Sequence, residues 1–259
     1  MVKFFVTSDI HSHFKIFLDE LKAKGFDEHN PDHWLVVSGD VFDRGGESEE
    51  LLHYLMSLER KILVKGNHDI LLEECCRRGF PYGHDKHNGT TRTIQDISKI
   101  YSAYDFAKAC ERTWNKLARY REVLVNYFET ENYIFVHSWI PVRKVEVHNP
   151  ADKWISITKD EYMEDWRNAN DVEWEEAMWG NPFKSYFDGL NKTGKTIVFG
   201  HWHCSAGHRM IGKCKTEFEE DAIWEPFYGT NIIGVDRCTA YTGQCNIIVI
   251  EDEFLEENV

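Results

Sequence analysis

Short apolar runs that alternate with helical patterns constrain the fold of this chain most strongly. The first three runs are Phe4–Thr7, Trp34–Ser38 and Ile62–Lys65, and the helical patterns Phe14–Lys24 and Ser48–Leu58 lie between them. Nearly continuous apolar runs of this length are typical of strands buried on both faces. The order strand, helix, strand, helix, strand therefore predicts an α/β fold with parallel strands.

The rest of the chain continues this pattern around two insertions. Further strands are predicted at Tyr133–His137, Thr196–Gly200, Ile232–Val235 and Cys245–Ile250. The insertion at 70–121 is mainly helical with a polar break at Gly83–Thr90, whereas the insertion at 149–191 is irregular and rich in tryptophan. Neither insertion is bordered by a Gly-, Ser- or Pro-rich linker. We therefore expect one domain over residues 1–259.

Polar side chains with ligand chemistry come directly after five of the predicted strands. Any one of them is weak evidence, because Asp after Gly is common in turns and Asn can cap a helix. Ligands of open α/β sheets gather beyond the carboxyl ends of strands, however, so five such ends in one chain point to a shared site. The candidate ligands are Asp9, His11, Asp40, Asn67, His137 and His201.

These residue types suit a pair of divalent metal ions. Two ions about 3.5–4 Å apart can clamp the attacking and the leaving oxygen of a phosphoryl transfer, and a water between them would become the nucleophile. Asp40 stands in the middle of the ligand series and is the predicted bridge. Asp9 and His11 would complete the first site, and Asn67, His137 and His201 the second. Mixed nitrogen and oxygen ligands favour manganese, with iron, zinc or nickel as alternatives.

The segment Gly39-Asp40-Val41-Phe42-Asp43-Arg44-Gly45 resembles a known signature. It is similar to the Gly-Asp-x-Val-Asp-Arg-Gly motif of the phosphoprotein-phosphatase branch of the calcineurin-like metallophosphoesterases. That branch includes lambda-type and bacterial Ser/Thr phosphatases and the symmetrical diadenosine tetraphosphate hydrolases. The segment 235–243 also looks like the closing Asp-x-Gly-x-x-x-Gly element of the branch. The resemblance implies a four-layer fold, a sandwich of two mixed β-sheets flanked by helices.

The resemblance also implies roles for three residues that bind no metal. His68 is at the position of the general acid that protonates the leaving alkoxide. Asp43 is at the position that orients this imidazole. Arg44 is at the position that binds the substrate phosphate through its planar guanidinium.

The chain departs from the branch pattern at several positions. Asp69 replaces the usual Glu after Asn-His. His203 is an additional histidine that could bind metal, contact substrate or be a plain loop residue. A second phosphate-binding arginine is not evident. Arg143 is a candidate for that contact, and Asn181 could donate an uncharged hydrogen bond instead.

These patterns predict a metal-dependent phosphoesterase that hydrolyses phosphate monoesters of protein or of small molecules. A dinucleoside polyphosphate hydrolase is the alternative, and a non-catalytic binding protein with the same fold is a second one. The net charge of −14 argues against nucleic acid and anionic membranes as partners. The seven cysteines contain no Cys-x-x-Cys pair, and no export signal is evident, so we expect reduced thiols and a cytoplasmic protein.

Overall fold

The first of two large β-sheets contains the N-terminal strand next to one of its edges. The computed structural model describes residues 1–149 and 152–255. In this part of the chain, its strands are β1 (Val2–Thr7), β2 (His33–Ser38), β3 (Lys61–Val64), β4 (Leu124–Val125) and β12 (Ile248–Asp252). They have the order β12-β1-β2-β3-β4, with β12 antiparallel to β1 and the other neighbours parallel.

The second sheet contains β5 (Tyr127–Glu129), β6 (Tyr133–Val136), β9 (Thr196–Phe199), β10 (Phe227–Gly229) and β11 (Ile232–Gly234). Its strand order is β10-β11-β9-β6-β5. Strand β9 is parallel to both β11 and β6, while the outer strands β10 and β5 are antiparallel to their neighbours. Both sheets are therefore mixed.

The two sheets pack face to face around an apolar core. Phe4 and Val36 of the first sheet and Phe135 and Val198 of the second are fully buried in one cluster. Alternate side chains of each strand point to this interior, and the others point to the helices on the outside. This packing produces the predicted four-layer sandwich.

Helices cover the outer faces of the sandwich. Those on the first sheet share a core with Phe5 and Leu35, and those on the second share a core with Ile134 and Phe199. None of the helices in the described residues is both long and apolar enough to cross a bilayer. They are α1 (Phe14–Ala23), α2 (Ser48–Ser57), α3 (Asn67–Arg78), α4 (Gly83–Asn88), α5 (Thr90–Ser98), α6 (Phe106–Lys116), α7 (Ala118–Val123), α8 (Asp171–Met178), α9 (Pro182–Phe187), α10 (Cys204–Met210) and α11 (Thr239–Thr242).

Two local expectations were wrong. The polar break expected at Gly83–Thr90 is mostly helix, because Asp85 bonds back to the backbone N–H of Tyr82 at the start of α4. The described part of the stretch 149–191 is not irregular. It contains the whole of the ribbon strand β8 (Asp152–Tyr162), which pairs with β7 (Val142–Asn149), and the helices α8 and α9. Apolar and polar residues alternate only over 145–148 and 155–158 in this ribbon, which is too short a pattern to reveal two strands of this length.

Asp252 at the end of β12 connects the two sheets. Its carboxylate is buried and accepts hydrogen bonds from the Thr130 hydroxyl at 2.7 Å, the Asn132 backbone N–H at 2.9 Å and the Asn132 side-chain amide at 2.8 Å. Thr130 and Asn132 lie in the turn between β5 and β6. These bonds outweigh the effect of burial and lower the pKa of Asp252.

We expect Asp252→Ala to lower the free energy of unfolding by about 2–3 kcal/mol, because three donors lose a charged acceptor. Urea denaturation measures this loss. A group whose pKa is lowered in the folded state stabilises above its unfolded pKa of ~3.9 and loses this contribution as pH falls through the folded value. The difference between wild type and variant should therefore shrink in acid. Glu251→Ala is the control, since its exposed contact with Lys3 at 3.4 Å contributes less than ~1 kcal/mol. Equal losses in the two variants would contradict this role of Asp252.

Candidate active site

The carboxyl ends of five strands bring the six candidate ligands together. In the first sheet, Asp9 and His11 follow β1, Asp40 follows β2, and Asn67 follows β3. Strands β6 and β9 of the second sheet precede His137 and His201. All except His201 are buried. The site therefore lies where the ends of the two sheets meet.

Asp40 is at the centre of this cluster, and its two oxygens face different imidazoles. Oδ2 lies 3.8 Å from Nε2 of His11, whereas Oδ1 lies 3.4 Å from Nε2 of His137. Around these oxygens, two groups of side chains place their ligand atoms within 4.8 Å of one another: His11, Asp40 and His68 in one, and Asp40, His137 and His201 in the other. The single carboxylate thus belongs to two adjacent candidate sites.

Asp9 and Asn67 complete the two sides of the cluster. Oδ1 of Asp9 lies 3.9 Å from Nε2 of His11, and its Oδ2 accepts a hydrogen bond from the His201 backbone N–H at 2.9 Å. Oδ1 of Asn67 lies 2.7 Å from Nε2 of His137. Asp9 is therefore next to the His11 side of Asp40, and Asn67 is next to the His137 side.

The backbone at the strand ends is bent sharply to produce this convergence. Asp9, His11, Asp40 and His201 all have positive φ angles, between 49° and 65°. Non-glycine residues adopt this region rarely, and such conformations concentrate at functional sites. Close approach also requires a glycine here, because a Cβ on Gly66 would lie 2.3 Å from Oδ1 of Asp40.

Backbone carbonyls orient two of the imidazoles. Nδ1 of His11 donates to the carbonyl of Phe42 at 2.9 Å, and Nδ1 of His137 donates to the carbonyl of Ser38 at 3.0 Å. The unprotonated Nε2 atoms then face the cluster, as metal-binding histidines require. Nε2 of His11 is buried and has no hydrogen-bond partner among the described residues. An orphaned buried acceptor of this kind fits a metal ion.

The electrostatics of the cluster also fit bound cations. Burial and the neighbouring Asp40 raise the pKa of Asp9. Burial would also raise the pKa of Asp40, but the imidazoles of His137 and His68 outweigh it and hold that pKa below its usual range. Burial, together with His137, lowers the pKa of His201 to about 3, so its ring is neutral at pH 7. Neutral imidazoles and adjacent carboxylates are the forms that bind divalent metals.

His68, Asp43 and Arg44 form a second set of contacts beside Asp40. Nδ1 of His68 lies 2.8 Å from Oδ2 of Asp43, and its Nε2 lies 3.4 Å from Nη2 of Arg44. Burial opposes protonation of His68, but Asp40 and Asp43 outweigh it and raise its pKa. The exposed Arg44 and the Nε2 edge of His68 therefore face the same space.

Sequence reasoning missed three residues that hold the carboxylates of Asp43 and Asp69 in place. Thr90 and Thr93 of α5 donate hydroxyl hydrogen bonds to the two carboxylate oxygens of Asp43, at 2.7 and 3.0 Å. Tyr120 of α7 donates to Oδ1 of Asp69 at 2.8 Å. Oδ2 of Asp69 accepts from the backbone N–H of Gly66 at 2.8 Å and so holds the turn before Asn67. The only sequence signal was the spacing of Thr90 and Thr93 on one helix face.

Comparison with known proteins agrees with this geometry. Residues 2–205 match the sequence profile of the calcineurin-like phosphoesterase family. This chain belongs to that family. The symmetrical bis(5′-nucleosyl)-tetraphosphatase of Buchnera aphidicola subsp. Schizaphis graminum is 38% identical over 66 residues, which are 25% of this chain and 23% of that protein. A cold-active protein tyrosine phosphatase structure aligns with 97% of this chain and 74% of its own, at 15% identity and a TM-score of 0.53, a likeness of fold alone.

Three further candidate residues of this phosphoesterase make other contacts. Nδ1 of His203 is 3.2 Å from Oε1 of Glu217, and its ring packs on Phe218. Arg143 is exposed on β7, opposite Glu161 of β8. Asn181 caps α9 by accepting the Lys184 backbone N–H at 2.9 Å. Neither of the two groups of candidate metal ligands in the described residues includes His203. Roles for these three remain predictions.

Proposed function

We propose that this calcineurin-like phosphoesterase hydrolyses phosphate monoesters with two divalent metal ions. The observation that carries this proposal is the position of Asp40. One of its oxygens faces His11 and the other faces His137, at 3.8 and 3.4 Å. A carboxylate shared in this way can offset the repulsion between two cations held close together.

The chain offers a complete ligand set for each ion. Asp9, His11 and Asp40 would hold the first, and Asn67, His137 and His201 would hold the second together with Asp40. When bound, divalent ions supply a water that is deprotonated near neutral pH and neutralise the charge of the phosphoryl group. Manganese is the metal we propose, since the donors mix imidazole nitrogen with carboxylate and amide oxygen.

The chain's own residues would position the substrate and move one proton. Arg44 is exposed beside the cluster and would bind phosphate oxygens through its guanidinium. His68 would donate the proton on Nε2 to the leaving oxygen. Asp43 holds Nδ1 of that ring at 2.8 Å and favours the protonated imidazole. Thr90 and Thr93 fix Asp43 in turn.

A dinucleoside polyphosphate hydrolase is the second candidate. The 38% identity over 66 residues to a symmetrical bis(5′-nucleosyl)-tetraphosphatase supports it. A phosphoanhydride needs the same metal clamp, and its leaving phosphate needs less protonation by His68 than an alkoxide does. The two candidate functions therefore differ in the substrate that the residues around the metal ligands must accommodate.

A substrate panel tests the proposal. We expect the manganese-loaded protein to hydrolyse phenyl phosphate and a phosphoserine peptide, to cleave diadenosine tetraphosphate if the second candidate holds, and to act little on oligonucleotides. The net charge of −14 repels extended polyanions, and this repulsion weakens as salt rises. The measurement is kcat/KM for each substrate at low and moderate salt. A metal-loaded protein that hydrolyses none of them would indicate a non-catalytic binding protein, and an oligonucleotide as best substrate would indicate a nuclease.

A further inference from the structure

A cavity of about 420 Å³ lies beside the metal-binding cluster. Trp179 lines it, and the ring of Trp179 stands perpendicular to that of His201 with 6.2 Å between centroids. Ser138, which follows His137, donates to the Gly180 carbonyl on the cavity wall at 2.9 Å. The volume is within the range of small-molecule sites, ~300–1,000 Å³. A larger cavity, lined by Trp34, Tyr127 and other residues, includes none of the candidate ligands.

The charges on the cavity wall disfavour an anionic occupant. Lys144 is paired with Glu176 at 2.5 Å. Lys184 is paired with Asp188 at 2.7 Å and lies 3.7 Å from Asp160. Because carboxylates neutralise both lysines of the wall, a second phosphate or an acidic peptide would gain little there. The wall suits an uncharged group with hydrogen-bond donors, which its carboxylates can accept.

Trp179 adds a surface for a flat ring. Its side chain is 49% exposed, which is unusual for an indole beside a buried cluster. Exposed aromatic side chains stack on planar rings and bind every nucleobase through its face. A nucleoside combines a flat base with hydroxyl donors for carboxylates such as Asp160. A phenol ring would offer those carboxylates no hydroxyl donors of this kind.

We infer that this cavity binds the leaving group of the substrate and that this group is a nucleoside. The inference rests on the proposed phosphoesterase function, since the adjoining cluster would hold the phosphoryl group. The base would stack on Trp179 and the ribose would lie toward Asp160. A nucleoside phosphate would then occupy both the cavity and the metal centre.

Adenosine, which has no phosphate, tests the cavity separately from the reaction. Calorimetry on the metal-loaded protein should detect binding of adenosine, and Trp179→Leu should weaken it roughly 5- to 100-fold, the range expected for one stacked base. Trp114→Leu is the matched control. Trp114 is stacked by Arg121 at 3.6 Å on the helical insertion, and its loss should leave adenosine binding unchanged. Metal content is measured in each variant.

A second variant covers the case in which Trp179→Leu fails to fold. Asp160→Ala changes a partly exposed side chain and should weaken adenosine binding by about threefold or more, the loss of one hydrogen bond. In both variants the kcat/KM ratio of adenosine monophosphate to ribose 5-phosphate should fall.

The outcomes separate the two proposals. Ester hydrolysis without detectable adenosine binding would overturn the nucleoside site and leave the function standing. Adenosine binding that depends on Trp179, in a protein that hydrolyses no ester, would overturn the function and support the cavity. A dependence on Trp179 for a phosphotyrosine peptide, with an unchanged nucleotide ratio, would overturn the nucleoside in favour of a peptide.

Discussion

Asp40→Asn is expected to lose at least one of two bound metal ions and to lower kcat by about 10³-fold or more. The substitution keeps the shape of the side chain but removes the charge that both candidate sites share. Metal ions contribute several kcal/mol to stabilising phosphoryl transfer, and each 1.36 kcal/mol is about tenfold in rate. Elemental analysis after gel filtration should find close to two ions per wild-type chain and one or fewer in the variant.

The control for this prediction is another buried carboxylate. Asp85 is fully buried and binds Arg78 at 2.5 Å, away from the candidate ligands. Asp85→Asn should lower stability and keep both ions, which separates general unfolding from metal loss. Circular dichroism confirms that each variant is folded. An Asp40→Asn protein with two ions and wild-type turnover would show that Asp40 does not bridge, and wild-type activity after exhaustive chelation would exclude metal catalysis.

His68→Ala is expected to lower kcat by about 10²–10⁴ on a substrate with a poor leaving group, such as a phosphoserine peptide. The loss should be much smaller on an activated aryl phosphate, because its phenolate leaves with little protonation. Metal content should stay at the wild-type value, although Nε2 of His68 lies only 3.9 Å from Asp40. The comparison of kcat for the two leaving groups is the measurement.

Asp43 provides the matched test of this role. Asp43→Asn removes the charge that favours protonated His68, so it should give a smaller loss with the same dependence on the leaving group. In the double variant the effects should not add, because the two residues act as a unit. Equal losses on both substrates would mean that His68 binds phosphate, and a loss of one ion in His68→Ala would mean that it is a metal ligand.

The sequence was most informative for the buried strands and for the residues at their ends. The runs before Asp9, Asp40 and Asn67 are largely apolar, a pattern typical of strands covered on both faces, here by helices on the outside and by the second sheet on the inside. Parallel strands end at one edge, so the convergence of their polar ends followed from connectivity alone. The ribbon β7–β8 and the short strands at the sheet edges lack this double burial, and their polar residues resemble loops.

Local patterns therefore predicted the six candidate ligands and carried the family resemblance, because both depend on residue types directly after a strand, and the resemblance in turn implied the sandwich. Only the tertiary structure decided which side chains from distant elements support them. Thr90, Thr93 and Tyr120 reach Asp43 and Asp69 across 47 to 51 residues of chain, and Trp179 reaches His201 from the other insertion. Such contacts depend on how helices pack over the sheet ends, and packing follows the combined shape and burial of many side chains. A local sequence pattern does not show which residues so far apart in the chain will come into contact.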